Sequence, residues 1–138
     1  MDLTLLRAAL ERDEGYRSKP YRCSAGYLTI GVGWNLDERG LPATMIDELL
    51  SRAISESVTE CKRMFTGWDS LNQTRQHVLI NMMFNLGFSR LSGFKRFIAA
   101  VEARDYMKAA DEMLDSKWAR QVGSRAERLS VEMRLGSI

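Results

Sequence analysis

One histidine, two cysteines and two prolines are all that this chain of 138 residues holds of each. Cys23 and Cys61 cannot form a disulfide framework, and reduced thiols are the expectation. The lone His77 has no Cys or His partner at ligand spacing. That removes a zinc site and most histidine-activated nucleophile schemes, so no metal and no cofactor are expected. No apolar run approaches the roughly 20 residues needed to span a bilayer. Met1-Asp2-Leu3-Thr4-Leu5-Leu6-Arg7 has neither a basic leader segment nor a long apolar stretch, so a signal peptide is not expected. Internal repeats and low-complexity tracts are missing as well. Gly31-Val32-Gly33 lacks the third glycine and the following helix of a dinucleotide fingerprint, and is read instead as tight backbone geometry.

What remains is an ordinary soluble composition, 45% hydrophobic and 28% charged, enough for one well-packed domain. The net charge of +2 is unevenly spread. Residues 1–60 carry 7 Lys/Arg against 10 Asp/Glu, and residues 61–138 carry 13 against 8. The basic second part suggests an anionic partner such as a cell-wall polymer, nucleic acid or lipid headgroup.

Helical spacing of Leu3, Leu6 and Leu10, with Asp2 or Thr4 as cap and Gly15 as stop, predicts a first helix over 1–14. Strands over 18–23 and 27–32 flank a Ser24-Ala25-Gly26 turn, and 37–42 reads as a loop. Thr44 with Asp47 resembles a capping box opening a helix over 45–65. Its apolar stripe runs through Ile46, Leu49, Leu50, Ala53, Ile54, Val58, Cys61, Met64 and Phe65, which makes Cys61 a buried core thiol. The rest reads as helical. Ser70 with Gln73 opens a helix that Gly87 ends, Ser92 opens another, a third runs from Tyr106 to Leu114, and Ser124 with Glu127 caps the last before Gly136. The methionines on these stripes read as core filler. The expected architecture is α+β and a single domain over 1–138. A sheet-containing lobe over 15–43 is joined by the long helix to a helical lobe of 66–138 plus helix 1–14, leaving a cleft between lobes.

The chemistry-bearing constellation is local. Glu14 closes the first helix, Cys23 follows after eight residues, and Thr29 follows after five more. A carboxyl at the negative end of a helix is biased towards keeping its proton, and burial beside Tyr16, Tyr21 or Tyr27 would strengthen that bias. Such a group can protonate a leaving oxygen. Against this stands the plainer reading of a solvated glutamate at a helix end. Cys23 is open to three roles: a thiolate base favoured by Arg22, a neutral thiol that orients water with Thr29, or a covalent nucleophile. Water positioning ranks first, because sulfur is a poor base for water.

Glu14-Gly15, Tyr21, Gly26-Tyr27 and Thr29-Ile30-Gly31-Val32-Gly33 resemble the N-terminal lobe of the T-even phage lysozyme family, glycoside hydrolase family 24. Asp69-Ser70-Leu71, Ile80 to Gly87, Gly93-Phe94, Ala109-Ala110, Ser116-Lys117-Trp118 and Arg125-Ala126-Glu127-Arg128 follow the same family in order. The resemblance implies a lysozyme-like fold and an endolysin or muramidase that cleaves the β-1,4 bond between N-acetylmuramic acid and N-acetylglucosamine. By position it makes Glu14 the general acid, Thr29 the residue that helps place water, and Arg125 an arginine paired with the acid across the cleft. Phe84 and Asn85 fall at substrate-binding positions of the larger lobe. Two departures stand out. Cys23 replaces the usual Asp in the family's Glu-x8-Asp/Cys-x5-Thr pattern, and Trp34 replaces a histidine. The implied partner is peptidoglycan, not nucleic acid, and the implied state is a monomer. The implied setting is phage lysis: synthesis in the host cytoplasm, then access to the periplasm and wall through a membrane-permeabilising partner. A lytic transglycosylase using Glu14 alone and a non-catalytic wall-binding domain are the alternatives.

Overall fold

A computed structural model describes residues 1–138. The chain forms two compact units, Met1–Glu48 and Leu49–Ile138, and the α+β organisation is as expected. No helix is long and apolar enough to cross a membrane.

The first unit begins with helix α1, Leu3–Glu14. Of the two candidate caps, Asp2 serves: its carboxylate accepts from the N–H of Thr4 at 3.0 Å and of Leu5 at 3.2 Å. Gly15, at φ 87°, ends the helix and donates its N–H to the Glu11 carbonyl. The apolar stripe does not close over a core. Leu3, Leu6 and Leu10 all stay exposed, and by its contacts α1 groups with the sheet rather than with the later helices.

Three antiparallel strands follow in the order β1 (Arg17–Arg22), β2 (Leu28–Gly31) and β3 (Trp34–Asn35). Tyr21 lies opposite Thr29, and Thr29 opposite Asn35, so Thr29 occupies the middle strand. The third strand was not anticipated, because two residues are too few to show alternation. The expected loop at 37–42 also needs correction. Leu36–Arg39 is one helical turn, α2, capped by the Asn35 side chain on the Glu38 N–H and closed by Gly40. Trp34 donates its indole N–H to the Gly40 carbonyl and lies under the Arg39 guanidinium at 3.7 Å. The chain thus pins the β3 end to the end of α2 by a hydrogen bond and a cation–π contact.

Helix α3, Ala43–Met64, carries the unit boundary. It begins before the expected Thr44 cap. The Pro42 carbonyl accepts from the N–H groups of Met45 and Ile46, so Thr44 already lies inside the first turn. Only the far end of its stripe is buried, at Cys61 and at Phe65 just past the helix, whereas Ile46, Leu49, Leu50 and Ile54 are exposed.

The second unit holds the apolar core. After a 3-10 turn at Trp68–Ser70 come α4 (Gln73–Leu86), α5 (Phe88–Ser92), α6 (Lys95–Glu102), α7 (Tyr106–Leu114), α8 (Lys117–Val122) and α9 (Ser124–Leu135). Buried Val78, Leu79, Met82, Leu91, Met113 and Met133 fill it, together with Phe97, which meets Phe65 and Phe94 edge to face. Several caps differ from expectation. Asn72, not Ser70, caps α4; Ser92 ends α5 instead of opening a helix; Ser124 starts α9 without a side-chain cap. At α4 two polar residues compete for one role, which local sequence does not rank, whereas Phe94 and Gly123 hold the cap positions of α6 and α9 without a side-chain hydrogen bond. Gly87 and Gly136 end their helices as expected.

Candidate active site

Glu14 is the last residue of α1, beside that helix's unsatisfied carbonyls. Its side chain is exposed, and so is Tyr16, so the expected burial among tyrosines is not found. What the carboxyl touches is backbone. It lies over Gly33, so close that a Cβ built there would stand 2.9 Å from Oε2 and 3.1 Å from Cδ. The Tyr21 hydroxyl also makes a long contact, 3.5 Å, with the Glu14 carbonyl.

Cys23 and Thr29 are brought together. Cys23 opens the turn between β1 and β2: its N–H donates to the Tyr27 carbonyl at 2.9 Å, and its own carbonyl accepts from Gly26 at 2.8 Å. The Thr29 hydroxyl donates to that same Tyr27 carbonyl, also at 2.9 Å. Thr29 is the one buried residue of the first unit, at 3% exposure. Its hydroxyl proton is committed to that carbonyl, which leaves the oxygen's lone pairs as acceptors, the role needed to hold a water by its hydrogen.

The Cys23 thiol is held below its ordinary value. The Tyr27 N–H is the largest cause; desolvation opposes it, and the N–H groups of Ala25 and Gly26 and the Thr29 hydroxyl assist. One hydroxyl proton cannot serve both the Tyr27 carbonyl and the sulfur, so the turn amides carry most of the effect. Arg22, expected to favour the thiolate, is engaged elsewhere: it donates to the Gly26 carbonyl and stands 3.7 Å from Asp37. Cys61 is the opposite case. Burial, with a contribution from Glu60, pushes its thiol up to about 12, as a core residue should behave.

In the second unit, Phe84 and Arg125 line one cavity of about 410 Å³ with Asn81, Ile80, His77, Leu50 and Ile54. The Arg125 guanidinium is aimed by Asn81, whose Oδ1 accepts from Nε at 2.9 Å and from a terminal nitrogen at 2.6 Å. Asn85 is not part of this lining. Its Oδ1 accepts from the Trp118 indole at 2.8 Å, which makes it an anchor for a buried tryptophan. A larger cavity, about 780 Å³, lies elsewhere in this unit, between α5–α6 and α7–α8, with Arg90, Lys95 and Lys117 on its walls.

The sequence alone did not single out Asn81 or Gly33, which contact the candidate residues Arg125 and Glu14. Asn81 had a signal, since it lies one helical turn before Phe84 and Asn85 on the same helix. Gly33 had the weaker signal of a glycine pair.

The family model described as phage lysozyme matches residues 11–132. The pre-baseplate central spike protein Gp5 of Enterobacteria phage T4 is 27% identical across 94% of this chain, which spans only 27% of that protein's length. Probable T4-type lysozyme 1 of Dictyostelium discoideum is 22% identical, covering 96% of this chain and 95% of that protein. The endolysin of Salmonella phage P22 is 29% identical over 76% of this chain and 75% of its own length.

Proposed function

This chain belongs to the phage lysozyme family and is a glycoside hydrolase of the lysozyme type, and we propose that it hydrolyses the β-1,4 bond between N-acetylmuramic acid and N-acetylglucosamine in peptidoglycan. Glu14 protonates the leaving oxygen. Thr29 accepts a hydrogen from the attacking water, and Cys23 helps place that water. Arg125 and Phe84 bind glycan, with Asn85 acting through Trp118. The observation that carries the reading is the joint seating of Cys23 and Thr29 on the Tyr27 carbonyl, in the same unit that presents Glu14.

The chemistry assigns unequal weights. Inversion needs a proton donor and a positioned water on opposite sides of the sugar. Only the donor is irreplaceable, because Cys23 and Thr29 orient water without having to take its proton. Glu14→Gln keeps size and removes the transferable proton. It should lower the rate of peptidoglycan clearing by about 10²-fold or more, with the thermal midpoint unchanged. Clearing at the wild-type rate would sink the acid assignment. The product of the wild type decides the rival reaction: reducing ends mean hydrolysis, anhydro ends mean transglycosylation by Glu14 alone. Binding to peptidoglycan without either product would mark a wall-binding domain.

In the setting proposed, the protein acts as a monomer, is made in a host cytoplasm, and reaches the wall when a separate factor opens the membrane. Expression in a bacterium should then leave cells intact until a pore former or chloroform is added. Prompt lysis without one would refute that route. The match to a spike protein supports a second setting, the same chemistry carried by a structural phage protein.

A further inference from the structure

Nine glycines have positive φ, and most have open space where a side chain would go. Gly31 and Gly33 form an unplanned internal control. Both have φ 68° and stand two residues apart, so a β-carbon would impose similar backbone strain at each. Their surroundings differ. A Cβ on Gly31 meets nothing within 4 Å, whereas one on Gly33 meets Glu14 at Oε2 (2.9 Å), Cδ (3.1 Å) and Cγ (3.3 Å). All three atoms belong to the outer part of one flexible, exposed side chain. An added methyl would therefore push the carboxyl aside rather than break the fold.

Resting on the assignment of Glu14 as the acid, we propose that Gly33 is a positioning residue: its missing β-carbon is the seat that sets where the Glu14 carboxyl stands. Burial cannot hold this carboxyl, because Glu14 is exposed. The side-chain hydrogen bond that reaches Glu14 is the long one from Tyr21, and it goes to the backbone carbonyl rather than the carboxyl. The bare backbone of Gly33 is the close surface. It also lies in the two-residue turn, Val32-Gly33, that joins β2, the strand that carries Thr29, to β3, so the seat ties the acid to the hairpin of the water-placing hydroxyl. A general acid must stand within hydrogen-bond reach of the atom it protonates, and misplacement of about 1 Å can cost about 10²-fold in rate. The Gly31-Val32-Gly33 segment thus has two jobs. Gly31 satisfies the chain's turn, and Gly33 satisfies both the turn and the acid.

The test compares Gly33→Ala with Gly31→Ala on soluble peptidoglycan fragments, alongside Glu14→Gln. Both glycine variants should show a similar drop in thermal midpoint. Gly33→Ala alone should lose at least tenfold in kcat with KM within twofold, and should move the carboxyl 13C chemical shift of Glu14. Gly31→Ala should keep kcat within about threefold and leave that shift in place. Equal kcat values and equal Glu14 shifts in the two variants, with Glu14→Gln inactive, would overturn the positioning role alone. Wild-type activity in Glu14→Gln would instead overturn the acid assignment beneath it.

Discussion

The first 48 residues and the last 90 hold themselves together by different means. The second unit is a conventional apolar core, from Cys61 to Met133, packed from at least six helices. The first unit buries a single residue, the polar Thr29. Its order comes from hydrogen bonds and turns: Asp2 on α1, Asn35 on α2, Asp37 on the Leu28 N–H at 2.6 Å, Trp34 on Gly40. The unit without a core carries Glu14, the candidate acid, with Cys23 and Thr29. The difference teaches where each kind of residue can work. Polar groups stay available where apolar packing is thin, and most of the apolar stabilisation is supplied by the other unit.

The sharpest way to break that comparison is to damage the core. Phe97→Ala removes a ring that is 1% exposed and touches two other phenylalanines. It should cost about 3–5 kcal/mol in urea unfolding. The Glu14 carboxyl 13C shift should not move while the protein remains folded. A moved shift in the folded variant would show that the first unit depends on the packing of the second.

A smaller effect separates the two cysteines. In the native protein, iodoacetamide should modify Cys23 and spare Cys61 until the chain is unfolded, as read by mass spectrometry. The pH dependence has opposite signs. Cys23 has a depressed thiol value, so its contribution favours the fold at alkaline pH and is lost as pH falls through the folded value. Cys61 is raised from 9.0 to about 12, so between those values the unfolded chain has released a proton that the folded one retains. Stability should therefore fall as pH rises through that window, and Cys61→Ala should flatten the slope. Native modification of both thiols at equal rates would contradict the assignment of Cys61 to the core.

Much of this was legible in the sequence. Periodicity located α1, α3 and α4 because each is long enough for several apolar turns, and a cap and a stop located α9. The terminal glycines were readable because an end of helix needs a backbone that few other residues adopt. The Glu14–Cys23–Thr29 spacing was readable because all three lie on consecutive short elements. The short elements β3, α2, α5 and α8 were not resolved, since one turn or two residues carry no period, whereas β1 and β2 were marked by the turn between them.

The chain by itself determined its α+β class, its family and the identity of the candidate acid, because these rest on residue type and spacing along a covalent backbone. Only the folded structure decided which polar groups meet. It gave the Tyr27 carbonyl to both Cys23 and Thr29, turned Arg22 towards Asp37, set Asn81 under Arg125 and seated Glu14 on Gly33. The reason is physical: a hydrogen bond or a missing β-carbon acts over about 3 Å in space, and nothing in the order of residues states which atoms will be brought within that distance.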